Sequence, residues 1–148
     1  MRKALILWIA LVLVAPLSAA RQKTDPSWEQ TRRIAETEHE IIAVAIRQNN
    51  FSQVMPEMRK IFEMKFPLKY ENTLSQEIEM VADALMHKQQ FDLSHQCIDE
   101  GLKHLTDNKN KARILQKKAY ILVKQGKEDE ALKYFRQAVE LNKSSNAQ

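Results

Sequence analysis

The sequence predicts an all-α domain built from helical hairpins. Three observations lead there. The chain has 148 residues but only two glycines and four prolines, too few turn formers for a sheet-rich fold of this length. Apolar residues recur every three or four positions in six separate segments. The breaks between these segments are short and polar, as in antiparallel helix pairs. At 28 % charged and 7 % aromatic residues, the composition is that of a folded helical domain, and the length suffices for one core.

The first twenty residues differ from the rest. Arg2 and Lys3 precede an apolar run, Ala4 to Ala15, which Pro16 ends. Ser18, Ala19 and Ala20 supply the small residues of a signal-peptidase site. Residues 1–20 are therefore expected to be a signal peptide, and the protein to be exported, either periplasmic or secreted. The apolar run is short for a span of about 20 residues, so membrane contact is expected only if the segment stays uncleaved. Residues 21–25 form a loose link. Without Arg2 and Lys3 the basic residues fall from 23 to 21, against 19 acidic. That near-balance leaves no nucleic-acid footprint. Cys97 stands alone, so no internal disulfide forms. It is either a small buried hydrophobe or a site of pairing between molecules.

Asp25 caps the first helix and Pro26 takes its first position. Trp28, Thr31, Ala35, Glu38, Ile42 and Ala45 step along its inner side, with Ile34, Ile41 and Ile46 widening the stripe to about residue 48. A second helix is expected over 52–66, carried by Val54, Met58, Ile61, Phe62 and Lys65. Pro56 is tolerable there only in the first turn. The third covers 73–88 with Leu74, Ile78, Val81, Ala82 and Leu85 inward. The fourth covers 92–105 with Leu93, Cys97 or Ile98, Gly101 and Leu102. The fifth covers 111–124 with Ile114, Leu115, Ala119 and Leu122. The sixth covers 128–141 with Ala131, Leu132, Phe135, Ala138 and Val139. The helical domain thus spans 26–142, and 143–148 is a polar tail.

Three helix pairs call for a search for repeats. In the last pair Leu115 and Ala119 precede a turn at Gly126, and Ala131, Phe135 and Ala138 follow at small–aromatic–small spacing. Small residues let two helices approach, and the large one fills the space beside the crossing. This pattern resembles the tetratricopeptide repeat. Lys118 replaces the usual leucine and Lys143 the usual closing proline. The middle pair matches less well, through Ile78, Val81, Ala82, Leu85, Phe91, Ser94, Ile98 and Gly101. The first pair keeps Ile41, Ala45 and Phe51 alone. The resemblance implies three degenerate repeats stacked in a right-handed solenoid of about six helices.

It also implies a function. In this family the first helix of each pair lines a concave groove for a protein or peptide. Carried over, the groove is Glu36, His39, Ala43, Ile46 and Arg47, then Gln76, Glu79, Asp83, Met86 and His87, then Arg113, Gln116, Tyr120, Val123 and Lys124. Ile46, Met86 and Tyr120 are its apolar anchors. Arg113 and Lys117 match basic positions of a carboxylate-clamp subclass, but His39, Ala43 and Asp83 do not, and Asp83 opposes a carboxylate. The basic run through Lys109, Lys111, Arg113, Lys117 and Lys118 lacks interleaved aromatics and reads as a solvated face.

No nucleophile–base pair or phosphate loop is present, so neither catalysis nor a cofactor is expected. The leading expectation is a non-catalytic binding module or scaffold for another protein. A second is self-association as a homodimer: no seventh helix covers Leu132, Val139 and Leu141, and exposed apolar strips mark interaction sites. A third, a metal or small ligand held by His39, His87, His95 and His104, lacks three converging ligands.

Overall fold

The structure, a computed structural model, describes residues 26–145. The expected signal peptide, the expected loose link with its Asp25 cap and the last residues of the expected tail fall outside the described residues. Six α-helices follow one another: α1 Pro26–Arg47, α2 Val54–Glu63, α3 Glu71–His87, α4 Phe91–Leu102, α5 Asn108–Lys124 and α6 Glu128–Ser145. No strand occurs among the described residues. They form three hairpins, α1–α2, α3–α4 and α5–α6, and α3 packs on both α1 and α5. None of these helices is long and apolar enough to cross a membrane.

The three hairpins share one turn. Each first helix ends with a residue in the left-handed region: Asn49 (φ 57°), Gln89 (φ 59°) and Gly126 (φ 74°). The next residue donates its N–H back to the helix: Asn50 to Ala45 O at 2.8 Å, Gln90 to Leu85 O at 2.9 Å, Lys127 to Leu122 O at 2.9 Å. This is the Schellman end, which satisfies carbonyls the helix leaves free. Only Gly126 takes up that backbone without steric cost. Gln89→Gly is therefore expected to stabilise the fold by about 0.5–1 kcal/mol in urea denaturation; an unchanged or lower midpoint would contradict it.

The core faces follow the helical spacing. Ile42, Met58, Ile61, Leu74, Ile78, Leu85, Ile98 and Ile114 are fully buried in one cluster. Cys97 lies inside it, and burial pushes its thiol far up. That excludes pairing between folded molecules. A separate, smaller cluster of Ala119, Leu122 and Ala131, with Tyr134 and Phe135 against it, holds α6 to α5. Lys118, where the repeat pattern has leucine, is retained by an ion pair to Asp99 and lies 4.6 Å from the Tyr134 ring centre.

Several expectations are corrected. Ile34 and Ile41 are exposed (46 % and 41 %), because only one side of α1 has helices against it. Lys65 is exposed and lies outside α2. That helix stops at Glu63, with Lys65 at φ 48° and Pro67 beyond. Pro56 is its third residue, in the first turn. The connection to α3 is a packed element: the Trp28 ring stacks on Tyr70 at 3.9 Å and meets Phe66 edge-on at 5.4 Å. The start of α5 at Asn108 follows from Asp107, whose side chain caps the Asn110 N–H at 2.9 Å. At the other end α6 runs to Ser145, so the first residues of the expected tail are helical.

Glu71 opens α3 and is buried. Its Oε2 accepts from the Thr106 N–H at 2.9 Å and the Thr106 hydroxyl at 2.6 Å. Oε1 accepts from the Asp107 N–H at 2.9 Å and Asn110 Nδ2 at 3.2 Å. One carboxylate thus ties the start of α3 to the α4–α5 loop and the cap of α5. Burial pushes this carboxyl up, and the four donors outweigh it, holding it below its ordinary value.

Candidate partner-binding face

The first helices of the hairpins, α1, α3 and α5, lie side by side, with α3 central. Charged residues on this face pair laterally. His39 Nδ1 is 2.6 Å from Glu77 Oε1, linking α1 to α3. Arg113 Nε lies 3.0 Å from Glu79 and Lys117 Nζ 2.7 Å from Asp83, linking α3 to α5. Arg113 also donates to Asn72 at 2.7 Å. Behind this face, Arg59 holds Glu100 through two bonds of 2.7 and 3.1 Å, joining α2 to α4. Opposite charges are thus matched between neighbouring helices on both faces.

Those pairs sort the expected groove residues. Glu79, Asp83 and Arg113 act as links between helices. Glu36 is bound by Arg32 at 2.6 Å within α1. Gln76, His87, Gln116, Lys124 and Arg47 are exposed, and Ala43 is half-buried. Tyr120 and Val123 are exposed apolar groups, at 59 % and 41 %. Two expected anchors are corrected. Ile46 is 5 % exposed and belongs to the core. Met86 is half-buried and packs on the same core.

The apolar group that α3 does present is Met80, 50 % exposed. It stands one turn beyond Gln76, and the spacing Gln76–Met80–His87 carried that signal. Met80 lines a cleft of about 350 Å³ between α1 and α3, together with His39, Glu77, Ala35, Phe66 and the rim residue Glu36. Burial pushes the Glu77 carboxyl up, and the His39 contact pulls it back only in part.

The histidines do not converge. His95 Nε2 is 2.7 Å from Gln125 Oε1, His104 stacks on Phe62 at 4.8 Å, and His39 is held by Glu77. Among the described residues no group of three or more His, Cys, Asp or Glu is placed to hold a metal ion.

At the far end, α6 packs its buried Ala131 and Ala138 toward α5. Residues 112–145 match the family model of the tetratricopeptide repeat. The last hairpin is a tetratricopeptide repeat. No curated protein and no solved structure matches the chain. Within this tetratricopeptide repeat, Ala119, Ala131 and Ala138 are buried at the helix crossing. Half-buried Phe135 meets Tyr120 edge-on at 5.2 Å. Repeats of this family generally mediate protein–protein interactions. The residues expected at the open end divide in two. Leu132 and Val139 are exposed, at 50 % and 48 %. Leu141 is half-buried and borders a shallow groove with Leu115, so it leaves the exposed strip.

Proposed function

We propose that this chain is an exported, non-catalytic binding module, made of three degenerate tetratricopeptide repeats, that takes up an extended segment of another protein. The observation that carries the reading is the run of exposed apolar groups, Met80, Tyr120 and Val123, on the shared face of the first helices. Exposed apolar groups among matched charges are the makeup of a recognition surface. The lateral ion pairs support it too: a face braced between helices meets a ligand with less ordering to lose.

The test is selection of peptides from a random library on the immobilised protein. The selected peptides are expected to bind at least tenfold more weakly to Met80→Glu and to Tyr120→Ala. Equal binding by both variants would refute the groove. Export is supported by the leader-like segment before Pro26; a mature chain beginning near Arg21, read by mass spectrometry of the exported protein, is the expected result.

A further inference from the structure

We infer that the exposed face of α6 is a self-complementary surface on which a second copy of this chain docks antiparallel, about a two-fold axis at the Phe135–Arg136 peptide. The inference stands apart from the groove, since it uses the opposite helix of the last hairpin.

At 100° per residue, the exposed residues Glu128, Leu132, Val139 and Lys143 fall within roughly 60° of arc on α6. Ala131, Phe135 and Ala138 lie beside this stripe and pack against α5. Along this stripe the chemistry runs acidic, apolar, apolar, basic. The positions are symmetric about residues 135 and 136. Turned end for end, Leu132 meets Val139 of the second copy and Glu128 meets its Lys143, each contact occurring twice. A parallel pairing would set Glu128 beside Glu128 and Lys143 beside Lys143. The antiparallel arrangement alone joins opposite charges while covering both half-exposed aliphatics.

In the single chain Lys143 leans on Glu140 at 2.9 Å, with both side chains about 70 % exposed. Such a pair contributes little and is readily exchanged. From Glu128 to Lys143 the stripe is about 22 Å long. One helix pair is a small interface, so association in the micromolar range is expected.

The test is light scattering on the purified full chain from about 5 to about 500 µM. The expected result is a mass rising from monomer to dimer and no further. Leu132→Glu is expected to weaken dimerisation at least a hundredfold, since it enters the contact twice. Glu128→Lys and Lys143→Glu are each expected to weaken it about tenfold, and the double reversal to restore it. All these positions are exposed, and unchanged circular dichroism confirms the fold. Orientation has its own readout: a mixture of Leu132→Cys and Val139→Cys proteins should form the mixed disulfide, with buried Cys97 silent. A wild type that stays monomeric, masses growing beyond the dimer, or a double reversal that fails to restore association would each overturn the inference.

Discussion

Replacing Glu71 with alanine is expected to lower the free energy of unfolding by about 3 kcal/mol at neutral pH. Four donors converge on this carboxylate, two of them backbone N–H groups in the α4–α5 loop. Removing it leaves them without their partner in a site that is 3 % exposed. Bonds to a charged acceptor are worth more than neutral ones, and orphaned buried donors carry a desolvation penalty. Glu71→Gln keeps the shape but turns an NH₂ toward donors, so an intermediate loss is expected. The pH dependence has a definite sign. The folded carboxyl titrates below its ordinary value. Its contribution is therefore complete above the unfolded glutamate pKa of about 4.3 and disappears as the pH falls through the lower folded value. Urea midpoints of wild type and Glu71→Ala should converge toward pH 3. A gap that stays constant with pH would show that the carboxylate charge is not what holds the loop.

Gly101→Leu is expected to destabilise the protein by about 3 kcal/mol. A Cβ built on Gly101 would lie 2.6 Å from Ile78 Cδ1 and 2.8 Å from its Cγ1. Ile78 is fully buried and has nowhere to withdraw. Leucine is by far the better helix former, so propensity alone predicts the opposite sign. The close approach of α3 and α4 decides which wins. Pairing the change with Ile78→Ala should recover part of the loss, giving a coupling above about 1 kcal/mol in a double-mutant cycle. Additive effects would mean that the two helices separate to accommodate the new side chain.

The helices and their inner faces were legible because both rest on local spacing. Leu74, Ile78, Val81, Ala82 and Leu85 are all buried, as one stripe of α3 requires. The small residues of the last pair were equally readable, since a crossing point demands small side chains at fixed positions. Ile34 and Ile41 were misjudged for a different reason. Periodicity shows that a stripe is apolar, but not how wide a neighbour covers it. Met86 and Met80 illustrate the same limit within the candidate site. They lie six residues apart on one helix, and only the position of the core turns one inward and the other to solvent.

The sequence by itself determined the class of fold, the six helices, the repeat in the last hairpin and the glycine at its turn. Each depends on residues within one or two helical turns, where backbone sterics and the 3.6-residue period act directly. Tertiary structure decided which charges remain available. Arg113 and Lys117 read as part of a solvated basic run until Glu79 and Asp83 meet them from α3. Glu71 reads as an ordinary acidic residue at a helix start until the α4–α5 loop closes over it. These partners are more than thirty positions apart in the chain. Their pairing depends on how the hairpins stack, and local spacing carries no information about that register.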